Sequence, residues 1–333
     1  MDSLVSICIP TYKNPRMLLN AISSALNQSY DNIEVIVFDD NSNDETEDIV
    51  SKIKDPRVFF YKSCANLRPP RSWNECIKRA KGSYLIVLPH DDILLPKFIE
   101  TSMSIMKSNN DIGFVQSAFA ISDSSLDLKG QKKVYKEKLF GLNALKWQVE
   151  YKLCIPASIL INFDLVNEFF RDDFWDDWSY YARIGYKHGF IYHPEILSIN
   201  RSHKEQLNLQ LLNEEKPGWK FILDQLNSLY FILNSDDFNR GRKYLNNEIK
   251  RLSVSMFFTS IKTILSGKYG NFKREFKSSR KLNRALPFDM TIMKAIFYKV
   301  IQKRLANKLE LAESRKLSKE VRKAINLNYS SRH

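Results

Sequence analysis

Glycine is scarce in this sequence, at 10 of 333 residues. No Gly-x-Gly-x-x-Gly follows the first strand pattern and no Gly-x-x-x-x-Gly-Lys-Ser/Thr occurs, which excludes the dinucleotide-binding and P-loop readings. His-Glu-x-x-His and Gly-x-Ser-x-Gly are missing too, removing the commoner zinc-protease and serine-hydrolase readings. Cysteine is limited to Cys8, Cys64, Cys76 and Cys154, without Cys-x-x-Cys spacing. Reduced, buried thiols are therefore expected, rather than a disulfide framework or a zinc site. No run reaches the roughly 18 apolar residues of a membrane span, so none is expected. Met1-Asp2-Ser3-Leu4 carries no basic segment ahead of an apolar one, and without a signal peptide a cytoplasmic location is expected.

What is present is enough apolar residue for a substantial core, 44% of the chain, and a net charge of +13 that is unevenly spread. From Lys216 onward there are 26 Lys+Arg against 9 Asp+Glu, while residues 1–215 hold 25 against 29. The basic excess belongs to the tail, where it suits nucleic acid, an anionic membrane surface or simply a solvated helical face.

The first ninety residues alternate strand and helix patterns. Strands are expected over 5–10, 33–39, 58–61 and 84–88, with helices over 15–28, 44–52 and 71–80. Such alternation predicts an α/β fold with a mostly parallel sheet flanked by helices. Short strands follow at 113–119, 155–161 and 190–192, with helices over 142–151 and 178–187. Beyond about 214 the pattern is helical and basic. The expected organisation is an α/β domain over 1–213, divided near residue 96 into two halves, and a basic helical region over 214–333.

Two apolar runs end in paired carboxylates: Ile33–Phe38 leads into Asp39-Asp40, and Tyr84–Leu88 leads through Pro89-His90 into Asp91-Asp92. Open α/β sheets place their ligand crevice at the carboxyl ends of strands, so the two ends point to one shared site. Adjacent carboxylates on a rigid strand end suit a hard divalent cation, Mn2+ or Mg2+, which shares its oxygen ligands with substrate phosphates. The competing reading is that Asp91-Asp92 caps a helix near 93–104.

Val5-Ser6-Ile7-Cys8-Ile9-Pro10-Thr11-Tyr12-Lys13-Asn14, Asn27-Gln28-Ser29-Tyr30 and Val37-Phe38-Asp39-Asp40-Asn41-Ser42 resemble, in order, the opening signatures of glycosyltransferase family 2. Asn66-Leu67-Arg68-Pro69-Pro70-Arg71 through Ser83-Tyr84, then Pro89-His90-Asp91-Asp92-Ile93-Leu94-Leu95-Pro96, continue the likeness, which covers about residues 4–207. The resemblance implies a GT-A fold, Rossmann-like in its sheet, a nucleotide-sugar donor and inversion at the anomeric carbon. It implies that Pro10, Thr11 and Tyr12 lie beside the base, that Asp40, with Asp39 as the alternative, contacts the base, and that Arg71 approaches the donor. Asp91 and Asp92 are implied to hold the ribose and the metal between them. Many members carry a further acid where this chain has Pro89.

The segment Phe174-Trp175-Asp176-Asp177-Trp178 resembles the family's acid-Asp-aromatic stretch, which assigns Asp177 as the general base; helix-start acids are the alternative. Arg201-Ser202-His203 resembles the family's Arg-x-His segment and adds His203 as a metal or diphosphate contact. The basic tail lies beyond the resemblance. Its Lys-interrupted apolar stretches suit an interfacial helix, which would hold the enzyme on the inner membrane face if the saccharide acceptor is lipid-linked; a helical appendage packing on the catalytic domain or on a partner is the alternative. Nucleic acid is not the expected partner. The rivals are a nucleotidyltransferase, which the loop after the first strand does not support, and a non-catalytic binding protein with a degenerate metal motif.

Overall fold

The computed structural model describes residues 2–203, apart from 124, 125, 127, 133–136, 152–154 and 172–175. The expected basic helical region over 214–333, and Cys154, lie outside the described residues. In chain order the elements are β1 (Val5–Thr11), α1 (Pro15–Leu26), β2 (Ile33–Asp39), α2 (Thr46–Ser51), β3 (Val58–Lys62), α3 (Arg71–Ile77), β4 (Tyr84–Val87), β5 (Ile93–Leu94), α4 (Phe98–Lys107) and β6 (Phe114–Ser122). They continue with β7 (Leu128–Lys132), β8 (Glu137–Leu139), α5 (Gly141–Tyr151), a 3-10 turn Pro156–Ser158, β9 (Ile159–Asn162), α6 (Phe163–Val166), α7 (Asp176–His188) and β10 (Phe190–Arg201).

One sheet runs in the order β3-β2-β1-β4-β9-β6-β10-β5, with β7 on β6 and β8 on β10. Every residue of β1 and β2 is buried, as befits central strands covered on both faces. α1 covers one face with Leu18, Ala21, Ile22 and Ala25, a helical spacing, and takes Pro15 at its first turn, where the missing amide is harmless. β1 pairs in parallel with β2 and β4, and β2 with β3. β9 is antiparallel to both β4 and β6, so β6 and its parallel partner β10 run in the same direction as β1. The carboxyl ends of β1, β2, β4, β6 and β10 therefore share one edge of the sheet.

Three differences from the sequence expectation bear on that edge. The helix expected near 93–104 starts only at Phe98, because Ile93 and Leu94 pair with Ile199 and Ser198 of β10 and Pro96 disfavours helical backbone at Leu95. Asp91 and Asp92 are thus not helix caps. The strand expected over 190–192 continues to Arg201. Pro194 lacks an amide to donate, and the β6–β10 register slips between His193 and Ser198 before the pairing resumes. Of the cysteines, Cys8 and Cys76 are buried as expected, but Cys64 is exposed.

A buried carboxylate on β2 ties the start of β1 to the turn that precedes β4. Glu34 accepts hydrogen bonds from Ser6 Oγ and the Lys81 amide, both at 2.6 Å, and Ser6 Oγ accepts from the Gly82 amide at 2.8 Å. In the second half, Phe114 stacks on Phe190 at 4.7 Å and meets Tyr181 edge-on at 6.1 Å, fixing α7 to the sheet. Gly113, just before β6, sits against Ile184 and His188 near the end of α7.

Candidate active site

Four segments converge where the parallel strands end. The loop after β1 holds Lys13 and Asn14 at φ 62° and 60°, and the loop after β2 holds Asn41 and Asn43 at 64° and 51°. Left-handed backbone is uncommon outside glycine and clusters at functional sites. The loops are bonded together: the Asp40 amide donates to the Thr11 carbonyl at 2.8 Å, and the Lys13 amide to Ser42 Oγ at 2.7 Å. Asp39 accepts from both the amide and the hydroxyl of Ser42. Its carboxylate is therefore committed to shaping this turn.

Asp40 reaches the other way. Its two oxygens accept the amides of Leu67 at 2.7 Å and Arg68 at 2.8 Å, pinning the segment that leads into α3. Burial pushes the Asp40 carboxyl up from its ordinary value; the two amides oppose that push, and the charge of Asp39 adds to it. Pro10 and Thr11 are buried beside this turn, and Tyr12 is 41% exposed with the Lys13 ammonium 5.1 Å from its ring centre. Arg71 is exposed at the first position of α3.

The acidic pair after β4 divides into two environments. Asp92 is 1% exposed, and its Oδ1 accepts from Asn200 Nδ2 at 3.1 Å and the Arg201 amide at 3.0 Å, with Oδ2 3.3 Å from the same Asn200 nitrogen. Burial, then the charge of Asp91, drives its carboxyl well above the usual range. Asp91 instead lies 3.0 Å from His203 Nε2 and keeps 17% of its side chain exposed. Burial pushes the Asp91 carboxyl up, but the His203 hydrogen bond and the nearby charges of His90 and His203 outweigh it and hold it low. Burial holds the His90 imidazole below its ordinary value, against the charge of Asp91 and a hydrogen bond with the Pro10 backbone. Arg201, 1% exposed, sets a buried cation near Asp91 and Asp92.

A divalent cation fits Asp91 and His203 on chemical grounds. The two offer oxygen and imidazole donors, and His203 Nδ1 is buried without a hydrogen-bond partner. Among the described residues no group of three or more His, Cys, Asp or Glu is placed to hold a metal. A cation here would complete its shell with phosphate oxygens and water, as Mg2+ habitually does.

The structure thus brings together Pro10, Thr11, Tyr12, Asp39 and Asp40, and separately Asp91, Asp92 and His203, with His90 joining the groups through Pro10. Arg71 and Asp177 occupy their own helices. Asp177 is the second residue of α7, half-buried, with Oδ1 accepting the Trp178 amide at 2.7 Å. Trp178 packs rather than facing solvent, its indole nitrogen donating to the Gln148 carbonyl at 3.3 Å. Asn200 and Ser42 were not expected at the site. Asn200 sits beside the Arg-x-His segment, yet its partner lies 108 residues away, so only the fold reveals the contact.

This arrangement, a ten-stranded sheet with carboxylates gathered at one edge, is that of a GT-A enzyme. Residues 6–170 match Glycosyl transferase family 2. An uncharacterized glycosyltransferase of Rickettsia typhi is 31% identical over 242 residues, spanning 69% of this chain and 74% of that protein. The chain belongs to glycosyl transferase family 2 and is a glycosyltransferase. A shorter match, 38% identical over 107 residues, covers 32% of this chain and 42% of the Escherichia coli UDP-Glc:alpha-D-GlcNAc-diphosphoundecaprenol beta-1,3-glucosyltransferase WfaP. The fold is shared with S. aureus TarS 1-349, at TM-score 0.52 and 14% identity over 84% of this chain and 92% of that one. It is shared also with the mannosyltransferase PcManGT of Pyrobaculum calidifontis, at TM-score 0.55 and 11% identity over 99% and 82%. Among the described residues no helix is long and apolar enough to cross a membrane.

Proposed function

We propose that this chain transfers a sugar from a nucleoside diphosphate sugar, most simply a UDP-sugar, to a hydroxyl of a saccharide or lipid-linked saccharide, inverting the anomeric carbon. The observation that carries the reading is the Asp91–His203 pair at 3.0 Å, set at the strand edge that also holds the Asp40 clamp. The names of relatives support it: WfaP is described with a UDP-Glc donor and a diphosphoundecaprenol acceptor, TarS has been crystallised with UDP-GlcNAc and PcManGT with GDP-Man and Mn2+.

The base stacks near Tyr12 in the fold of Pro10 and Thr11, with Asp40 beside it and Arg71 approaching the phosphates. Asp91 and His203 are the residues that would hold Mn2+ or Mg2+. When bound, such a cation supplies Lewis-acid stabilisation of the charge on the leaving diphosphate. Inversion by a single displacement requires one carboxylate opposite the leaving group, and Asp177 fills that role by taking the acceptor hydroxyl proton as the new bond forms. The basic residues beyond Lys216 draw the protein to the anionic inner face of the membrane, where a lipid-linked acceptor of cell-surface polysaccharide synthesis resides.

Asp177→Asn tests the assignment. Transfer is expected to fall at least a hundredfold, while donor affinity by calorimetry stays within about twofold. Undiminished turnover removes Asp177 from the role. A non-catalytic binding role predicts no donor turnover with any acceptor or water in the presence of Mn2+.

A further inference from the structure

The segment that carries Asp91 is tied to the segment that carries His203 by a neighbouring side chain, Asp92. Asp92 ends the turn that begins at Pro89, its amide donating to the Pro89 carbonyl at 3.0 Å. Its buried carboxylate crosses to the end of β10, where it accepts from Asn200 Nδ2 and from the Arg201 amide. Asp91 is one residue before this junction and His203 two residues after it. Chain connectivity therefore passes any shift of the junction directly to the spacing between them.

We infer that Asp92 and Asn200 form a positioning clamp that sets the Asp91–His203 spacing, and that Asp92 is not itself a ligand of the cation. The inference rests on the proposed reading of Asp91 and His203 as the cation pair. Both oxygens of Asp92 are directed at donors of β10, and the side chain has almost no exposure. A buried carboxylate is tolerated because such donors satisfy it. Lending an oxygen to a cation would leave the Asn200 amide and the Arg201 amide to compete for what remains. Asn200 is the informative partner, since its side chain donates to Asp92 and can be altered while the Asp92 carboxylate is kept.

Two variants of the full chain give opposite signs for the two roles. Asn200→Ala removes the clamp but leaves the Asp92 carboxylate intact. A positioning role predicts that Mn2+ binds at least fivefold more weakly, whereas a ligand role predicts equal or tighter binding, because an oxygen has been freed. The double variant Asp92→Asn/Asn200→Asp exchanges amide and carboxylate across the contact, keeping an acceptor for the Arg201 amide and the net charge beside Arg201. Recovery of Mn2+ affinity to within about threefold of the parent supports the clamp.

The probe is Mn2+ alone, followed through paramagnetic broadening of the His203 imidazole resonance, which is identified by its loss in His203→Gln. Urea denaturation of each variant reports the fold separately. Equal or tighter Mn2+ binding by Asn200→Ala overturns the inference. So does a double variant that regains the parental urea midpoint but not its Mn2+ affinity. Absence of broadening in the parent protein instead removes the cation pair itself, and with it the clamp's purpose, an outcome distinguishable because it precedes any substitution.

Discussion

Replacing Asp40 by alanine removes the carboxylate that ties the β2 loop to the segment before α3, and the structure sets the size of the effect. Hydrogen bonds to a charged acceptor contribute about 1.5–3 kcal/mol each, and Asp40 accepts two, from Leu67 at 2.7 Å and Arg68 at 2.8 Å. The Arg68 amide has a second acceptor in Asn66 Oδ1 at 3.0 Å, so truncation orphans the Leu67 amide alone. Removing the carboxylate also relieves the desolvation that pushes its pKa up. The expected loss for Asp40→Ala is therefore about 1.5–3 kcal/mol, near the value of one charged bond rather than two. Urea denaturation of the full chain measures it. Asn66→Ala in the same background should add about 0.5–1.5 kcal/mol by withdrawing the substitute acceptor. A loss below about 0.5 kcal/mol for Asp40→Ala, the scale of an ordinary surface change, refutes the clamp.

Gly82→Ala should destabilise by about 1–3 kcal/mol in the same assay. Its Cβ would come within 2.7 Å of the Leu4 carbonyl and 2.8 Å of the Ser6 amide, and neither backbone atom can yield; a neutral result would show that the junction of β1 with β4 is looser than drawn. Asp40 also imposes a pH dependence. Its folded carboxyl holds a proton more tightly than the ordinary value of 3.8, so folding takes up a proton and this group's contribution falls as pH rises from there toward the raised folded value. Asp40→Asn lacks that slope, and its stability deficit should be largest at the acid end and narrow as pH rises. Urea titrations across a pH series check this, and a deficit that widens with pH contradicts it.

The alternation over the first ninety residues is legible because β1, β2 and β4 are central strands, whose double-sided burial writes itself as unbroken apolar runs. The acidic strand ends are legible for a related reason: Asp39, Asp40, Asp91 and Asp92 stand where those runs stop. What escapes notice is polar or interrupted. β7 and β8, with sequences Leu-Lys-Gly-Gln-Lys and Glu-Lys-Leu, carry too little apolar residue to register as strands. β10 reads as three residues rather than twelve, because Pro194, Ser198, Asn200 and Arg201 break its pattern. Asp92 and Asp91 look alike in sequence, and only the return of β10 gives one of them the Asn200 and Arg201 donors and the other the imidazole of His203.

The slip in β10 at Pro194 has a consequence for how this site can change over time. Upstream of it the strand pairs with β8 and the start of β6, and downstream it pairs with the end of β6 and with β5 before ending at the site. In an unbroken strand, a one-residue insertion upstream would turn every later side chain to the opposite face. Here the irregular stretch between His193 and Ser198 can absorb such a change, because β5 independently fixes which way Ser198 and Ile199 face. A change of length in the outer half of the domain can therefore be taken up before Asn200, Arg201 and His203, which keep their orientation.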